Sequence, residues 1–257
     1  MGQSDPALTP WWLVPNLFAL DAPAVATVWQ RFLAARFDTP VPWSATVALA
    51  AVVWCVYLAD RCLDARRGNL DADRHRIAVR FPRAFVGLAI AGLAIAVAAV
   101  SQLPVSYFTV GMWVGAGVAA YLVAVHLGPE AARRGAKELL VGVGFAAGVT
   151  VPLAAAGPSP DEWILSAIVF GGLCWLNCRL IERWEGRRAW SGDAVLGAAV
   201  VTATAMLPLM VGLAAAGAGT GLLAVHMTCR DRPRAARVLA DAVLLTPLLL
   251  LALGWQA

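Results

Sequence analysis

Residues 84–125 read AFVGLAIAGLAIAVAAVSQLPVSYFTVGMWVGAGVAAYLVAV, and none of them is aspartate, glutamate, lysine or arginine. A helix that crosses a bilayer needs roughly 20 apolar residues, so this stretch is long enough for two. Gln102-Leu103-Pro104 divides it, because proline interrupts helices. Further uncharged stretches cover residues 39–59, 139–160, 194–229 and 242–257. The pattern predicts an all-α fold, a polytopic bundle of transmembrane helices.

The overall composition indicates the same class of protein. Of the 257 residues, 60% are hydrophobic and 14% are charged, and the mean hydropathy is +0.72. Soluble domains carry about 25% charged residues, so too little polar surface remains here to cover a water-soluble globule. We therefore expect an integral membrane protein that forms a single transmembrane domain over residues 1–257.

The breaks between the apolar runs predict about nine transmembrane helices. Their expected ranges are 11–35, 43–62, 84–101, 105–126, 138–156, 162–185, 194–207, 209–228 and 236–255. The division between the seventh and eighth helices has two interpretations: either Pro208 kinks one long helix, or residues 214–221 form the turn. Asp21 is a charge within the first range, with Arg31 as its one obvious partner.

The basic residues predict the orientation of these helices. All of the 20 lysines and arginines except Arg31 and Arg36 fall on one side of the nine-helix arrangement. Positive loops stay in the cytoplasm, which places the N-terminus inside, and we expect the membrane to be the bacterial inner membrane. These loops and the anionic lipid headgroups around them explain the net charge of +4, so no nucleic acid is needed as a partner.

Two carboxylates end the second predicted helix. Asp60 and Asp64 are four residues apart, so both project from one helix face. Hard oxygen ligands at this spacing can hold Mg²⁺ ions that are bridged by substrate phosphates. The alternative is a solvated helix end, in which the two carboxylates pair with Arg61 and Arg67.

A second polar cluster ends the sixth predicted helix. Asn177 and Glu185 are eight residues apart, a rotation of roughly 80°, so both can face one pocket. Glu182 is rotated by roughly 140° from Asn177 and suits the same pocket less well. Buried amides need a partner, so Asn177 could instead bond to a neighbouring helix. In that interpretation the two glutamates pair with Arg179 and Arg188.

The two clusters end helices on the same predicted side of the membrane. Carboxylates that bind Mg²⁺, beside arginines that bind phosphate oxygens, indicate a diphosphate site. Its place in the membrane indicates a substrate with a lipid tail. Lys137 is the only lysine in the chain and could contact the diphosphate as a mobile point charge. Its alternatives are an interfacial anchor or a pair with Glu138.

With these clusters the chain resembles the UbiA superfamily of intramembrane prenyltransferases. Members of that family have nine transmembrane helices and two acidic motifs on the cytoplasmic side, after helices two and six. The first family motif is N-D-x-x-D-x-x-x-D. Here Asp60 takes the asparagine position and Asp64 the central aspartate. Arg61 and Gly68 replace the other two aspartates.

The second family motif, D-x-x-x-D-x-x-x-D, corresponds here to Asn177, Ile181 and Glu185. Asparagine and glutamate can bind metal and isoleucine cannot, which implies weaker Mg²⁺ binding or fewer ions than in the family. The family's loop after the first motif carries basic residues for the diphosphate, which implies that role for Arg74 and His75. The alternative for these two residues is a topology signal that faces lipid headgroups.

The resemblance implies an enzyme, a prenyltransferase that uses a prenyl diphosphate donor, Mg²⁺ and a lipophilic acceptor. Its implied catalytic residues, which also bind the metal, are Asp60, Asp64, Asn177 and Glu185; its implied diphosphate-binding residues are Arg61, Arg74, His75 and Lys137. The degenerate motifs leave two alternatives open. One is a UbiA-type terpene cyclase, and the other is a non-catalytic isoprenoid-binding membrane protein.

Overall fold

Helices account for the regular secondary structure of the computed structural model over the residues that it describes, 10–66, 73–127, 137–186 and 193–252. In chain order they are α1 (Val14–Leu17), α2 (Asp21–Arg36), α3 (Trp43–Arg66), α4 (Asp73–Arg80), α5 (Pro82–Val100), α6 (Val105–Leu127), α7 (Lys137–Val149), α8 (Val151–Ala156), α9 (Pro160–Trp184), α10 (Asp193–Ala203), α11 (Leu209–Cys229), α12 (Pro233–Val243) and α13 (Thr246–Ala252). Short 3₁₀ helices lie at Trp11–Leu13 and Thr204–Met206. The predicted all-α class is confirmed for these residues.

Five of the helices are long and apolar enough to cross a membrane. Their apolar spans are Trp43–Asp64, Pro82–Val100, Val105–Val125, Pro160–Trp184 and Leu209–Cys229. The other four predicted spans hold shorter or interrupted helices, namely α2, the pair α7 and α8, α10, and the pair α12 and α13. Membrane-spanning length is therefore confirmed for five helices, whereas the count of nine and the cytoplasmic N-terminus stay predictions.

Prolines explain where several helices are interrupted. Pro152 and Pro247 each lie at the second position of a helix, where a missing backbone N–H is tolerated but the preceding helix cannot continue. Leu207 and Pro208 are both extended, with ψ angles of 160° and 138°. They separate α11 from the preceding 3₁₀ helix, while α11 runs unbroken through residues 214–221. The turn between these segments is therefore at Pro208 and not at 214–221.

The bundle is organised around α9. In the apolar 18-residue stretch of α9, 56% of the residues are buried inside the protein, whereas in that of α6 only 6% are buried. Helices α7, α10, α11 and α12 all pack against α9. The ring of Trp29 on α2 lies 4.7 Å from that of Phe170 on α9, and the Trp29 indole N–H donates to the Leu244 carbonyl oxygen at 2.7 Å. These contacts hold α2 against α9 and against the end of α12.

Helices α7 and α9 approach each other at glycines. A Cβ on Gly142 would overlap the carbonyl oxygen of Gly171, so the two backbones are in direct contact. Small residues allow such close approach between helices in membranes. The contact sets the position of α7 along α9, and with it the position of Lys137, the first residue of α7.

Replacing Gly142 with alanine should destabilise the bundle, because the added methyl group has no room beside Gly171. Overpacking of this kind costs about 1–3 kcal/mol, so we expect a lower midpoint of thermal unfolding in detergent. Gly144→Ala is the matched control. Its Cβ would lie 3.9 Å from Val118 Cγ2, and alanine is the better helix former. Equal unfolding midpoints for the two variants would contradict the close contact.

Candidate functional site

A cavity of about 190 Å³ lies among α1, α2, α3, α6, α7, α9 and α12. Six of the eight residues implied by the family resemblance line it: Asp60, Arg61, Asp64, Lys137, Asn177 and Glu185. They come from three helices, α3, α7 and α9, that are well separated along the chain. The fold therefore brings the two predicted clusters to one cavity.

The other two implied residues, Arg74 and His75, belong to α4. Helix α4 packs against α3, the helix that carries the first motif. Their side chains lie outside the described part of the structure. A diphosphate-binding role for this pair stays a prediction.

Lys137 joins the two carboxylates of α3. Its ammonium nitrogen lies 3.1 Å from Asp60 Oδ1 and 3.3 Å from Asp64 Oδ2. Because residues four apart share a helix face, a single cation can bridge both carboxylates. Lys137 is thus a counter-ion of the first motif, which places the positive charge of α7 at the cavity.

The two carboxylates raise the pKa of Lys137 above its ordinary value. Burial alone would lower the pKa of an ammonium, but the charges of Asp60 and Asp64 and the hydrogen bonds to them outweigh that effect. Lys137 is therefore positively charged at neutral pH. Its contribution to stability is complete below the ordinary lysine pKa and is lost only as the pH rises through the raised one.

Arg61 is buried in the wall of the cavity, with 5% of its surface exposed. Its guanidinium donates a hydrogen bond to the carbonyl oxygen of Leu17, the last residue of α1. Carbonyl groups at a helix end lack partners within the helix, so Arg61 satisfies one of them. A guanidinium stays charged at all physiological pH values, and Arg61 therefore adds a permanent positive charge beside the first motif.

Asn177 bonds to a neighbouring helix. Its side-chain amide donates to Asp241 Oδ1 of α12 at 2.9 Å. Ile181, one turn further along α9, also lines the cavity and contributes no metal-binding atom. Asn177 thus has the neighbouring-helix partner that the sequence offered as the alternative to a metal.

Both glutamates at the end of α9 have arginine partners. Glu185 accepts a hydrogen bond from Arg237 of α12 at 2.8 Å, and both side chains are largely buried. Glu182 lies 3.6 Å from Arg179 on its own helix, as the sequence allowed. Arg188, the partner considered for Glu185, lies outside the described residues. The Glu185–Arg237 pair therefore links α9 to α12.

Removing the guanidinium of Arg237 should destabilise the fold strongly, because it breaks the buried ion pair with Glu185 from one side. Breaking a buried ion pair from one side costs about 3–5 kcal/mol. We expect Arg237→Met to lower the unfolding midpoint in detergent and the double change Arg237→Met with Glu185→Gln to restore most of it. Arg230→Met is the control, since Arg230 is 68% exposed. No difference between the Arg237 and Arg230 variants would contradict a structural role for the pair.

Sequence reasoning missed a third polar group in the cavity. Asn16 donates to Asp21 Oδ2 at 2.5 Å and to Asp241 Oδ2 at 3.3 Å. The expected pair of Asp21 with Arg31 is replaced by this contact, and Arg31 instead donates to the Val41 carbonyl oxygen at 3.0 Å. Both aspartates lie within predicted spans, and a charge inside a span is a functional candidate. Asp241 is an acidic residue within the predicted span 236–255, and this observation could have revealed the polar group from the sequence.

Aromatic and aliphatic side chains complete the wall of the cavity. Tyr57, Tyr121 and Phe145 line it, and the rings of Tyr57 and Phe145 meet edge to face at 6.0 Å between centroids. Val56 and Val141 add apolar surface from α3 and α7. The cavity therefore combines charged groups with an apolar lining.

Mg²⁺, which the resemblance implies, fits the first motif. The carboxylates of Asp60 and Asp64 are hard oxygen ligands that converge on one cation position, where the Lys137 ammonium now lies. Asn177 and Glu185 are engaged by α12. Within the described ranges, no three histidine, cysteine, aspartate or glutamate side chains form a metal-binding group. The fit is therefore with the two aspartates of α3.

Over the described residues, fold and site together define a helical protein with five helices of membrane-spanning length and a charged cavity between its helices. No family model matches the chain, and neither a curated protein nor a solved structure matches it. The resemblance to the UbiA superfamily accordingly rests on predicted topology and on the placement of the two motifs.

Proposed function

We propose that this protein is an integral membrane enzyme that binds a prenyl diphosphate in the cavity and transfers the prenyl group to a lipophilic acceptor. The observation that carries the proposal is the contact of Lys137 with Asp60 and Asp64 in a cavity that also has an apolar lining. A cation beside two carboxylates suits a metal-bound diphosphate, and apolar walls suit an isoprenoid chain. We place the protein in the bacterial inner membrane with the charged end of the cavity toward the cytoplasm.

The order of residues along the helices gives the cavity a direction. On α3 the apolar Val56 precedes Asp60 and Asp64, and on α7 Lys137 precedes Val141 and Phe145. The end of α3 meets the start of α7 at the Lys137 ion pairs. In this proposal the diphosphate lies at that charged end, and the prenyl chain extends between the apolar side chains.

The size of the cavity limits how much of the substrate it encloses. Pockets that enclose a drug-sized ligand measure about 300–1,000 Å³, more than the 190 Å³ found here. The cavity therefore accommodates the reacting end of a prenyl diphosphate, while a longer tail extends between the helices toward the lipid. This arrangement agrees with lateral entry of the substrate from the bilayer.

The charged residues of the cavity have different roles in binding the diphosphate. Asp60 and Asp64 would hold Mg²⁺, which supplies Lewis-acid stabilisation of the leaving diphosphate when bound. Lys137 and Arg61 contribute positive charge where negative charge develops as the bond to the prenyl carbon breaks.

The apolar wall protects the prenyl cation that bond cleavage leaves behind. Exclusion of water prevents its premature quenching. The faces of Tyr57 and Tyr121, together with Phe145, can stabilise a cation through their ring electrons. Prenyl transfer results when an acceptor attacks this cation and loses a proton to the released diphosphate. Attack by a double bond of the same chain, followed by loss of a proton to the diphosphate, would give a cyclic terpene instead.

The proposal is tested by measuring pyrophosphate release by the purified protein in detergent. Geranyl, farnesyl and geranylgeranyl diphosphates are supplied with Mg²⁺, with and without a lipid extract and quinone precursors as acceptors, and products are identified by mass spectrometry. Acceptor-dependent release with a prenylated product supports transfer. Release with a hydrocarbon product and no acceptor supports the cyclase. Binding without release under every condition contradicts an enzyme and supports an isoprenoid-binding protein.

A further inference from the structure

Four polar side chains from four helices meet in the cavity apart from the Lys137 ion pairs. Asn16 of α1 donates to Asp21 of α2 at 2.5 Å and to Asp241 of α12 at 3.3 Å. Asn177 of α9 donates to the other carboxylate oxygen of Asp241 at 2.9 Å. All four residues line the cavity. Each side-chain amide nitrogen therefore donates to an aspartate, and the amide oxygens take no part in these hydrogen bonds.

The two amide oxygens in this group have no hydrogen-bond partner among the described residues. Asn16 and Asn177 are 5% and 6% exposed, and the Oδ1 atom of each is buried and unsatisfied. A buried acceptor without a donor is costly, and such groups are rare in native proteins. Because both residues line the cavity, a ligand in the cavity is the natural source of the missing donors.

The group is rich in hydrogen-bond acceptors. Two carboxylates and two amide oxygens surround this part of the cavity, and both amide nitrogens are already used. Arg237 lies on the same helix as Asp241, and its guanidinium forms an ion pair with the Glu185 carboxylate at 2.8 Å. An anionic group such as a diphosphate has no donor to offer to the amide oxygens. A hydroxyl group on a lipophilic molecule would satisfy the acceptors at no cost in charge.

We propose that Asn16, Asp21, Asn177 and Asp241 form an acceptor subsite that binds the hydroxyl group of a lipophilic molecule beside the diphosphate site. The proposal rests on the proposed function, since it supplies the second substrate of the prenyl transfer. It assigns Asn177 to this subsite and not to the metal, in agreement with its bond to Asp241.

The test compares two probes that differ in a single donor, 2-naphthol and 2-methoxynaphthalene. Binding of each to the purified full chain is measured by equilibrium dialysis, with correction for partition into detergent micelles. We expect naphthol to bind about 10- to 100-fold more tightly, because only naphthol can donate to the buried acceptors. Equal affinities for the two probes would overturn the proposal without the need for any variant.

The residues are tested with the double change Asp21→Asn and Asp241→Asn, which keeps the shapes and replaces one carboxyl oxygen of each residue with an amide nitrogen. The change removes one oxygen acceptor at each position, so the preference for naphthol should fall by about threefold or more. Asp161→Asn, on the exposed first turn of α9, is the control and should leave the preference unchanged. If the double variant does not fold, Asp21→Asn alone is used. An unchanged preference in the variant that folds would overturn the assignment to these residues.

Binding of farnesyl thiodiphosphate to the same samples separates this inference from the proposed function. If the wild-type protein binds the thiodiphosphate and shows no preference for naphthol, the subsite is wrong and the diphosphate site stands. If it prefers naphthol and does not bind the thiodiphosphate, the hydroxyl site stands and the prenyl-transfer function is wrong. We expect both to bind, and the thiodiphosphate to bind the double variant within twofold of the wild type.

Discussion

Asp64→Asn is expected to reduce pyrophosphate release by about 10²–10³-fold, the loss typical when one preorganised electrostatic group is removed from an active site. Asparagine keeps the size of the side chain but removes the charge that would hold Mg²⁺ and that pairs with Lys137 at 3.3 Å. Asp60 remains within 3.1 Å of Lys137, so the ion pair between α3 and α7 survives. We therefore expect lost activity, a higher Mg²⁺ requirement and a nearly unchanged unfolding midpoint.

Asp161→Asn is the matched control for this variant. Asp161 lies on the exposed first turn of α9 and does not line the cavity. Its substitution removes one carboxylate from the protein and should leave pyrophosphate release and the Mg²⁺ requirement unchanged. Wild-type activity in Asp64→Asn, or an equal loss in both variants, would contradict a catalytic role for the first motif.

Lys137→Met is expected to weaken prenyl diphosphate binding and to slow its cleavage by about 10²-fold, because it removes a positive charge beside the leaving group. The same change should tighten Mg²⁺ binding. Asp60 and Asp64 would lose the ammonium that now lies within 3.3 Å of both, and two adjacent carboxylates without a counter-ion attract a divalent cation more strongly. Opposite changes in turnover and metal affinity are a result that simple misfolding does not produce.

Lys137→Arg is the companion variant, because it keeps the charge and changes its shape. A guanidinium lacks the compact geometry of an ammonium, so we expect partial activity and Mg²⁺ affinity close to that of the wild type. Isothermal titration with Mg²⁺ and steady-state kinetics measure the two effects. Unchanged kinetics in Lys137→Met would show that the ammonium does not contact the substrate, and unchanged Mg²⁺ affinity would show that it does not compete with the metal.

Helix geometry alone predicts that Asp60 and Asp64 share one face of α3, and in the structure both contact Lys137. The spacing of Asp60 and Asp64 is enough to place both carboxylates on one face. The apolar runs likewise predicted helices, and five of them have membrane-spanning length in the structure. Pro208 marked a helix break because proline has no backbone N–H to donate, and the structure has its break there.

Long-range packing explains what the sequence did not show. Asn177 and Glu185 meet Asp241 and Arg237 because α9 packs against α12, about 60 residues later in the chain. No spacing within α9 predicts that contact. Arg31 was the one partner that the sequence suggested for Asp21, whereas in the structure the Asn16 amide donates to Asp21 and also to Asp241 of α12.

Photocrosslinking tests most directly whether the cavity is a prenyl diphosphate site. A farnesyl diphosphate analogue with a diazirine on its first isoprene unit is bound in detergent, irradiated, and located by peptide mass spectrometry. The proposal predicts labels on cavity-lining residues of α3 and α7, such as Val56 and Val141, that disappear with excess farnesyl diphosphate and weaken in Lys137→Met. Labels confined to the outer faces of α5 and α6, such as exposed Ile90 and Trp113, and unaffected by competitor would contradict it.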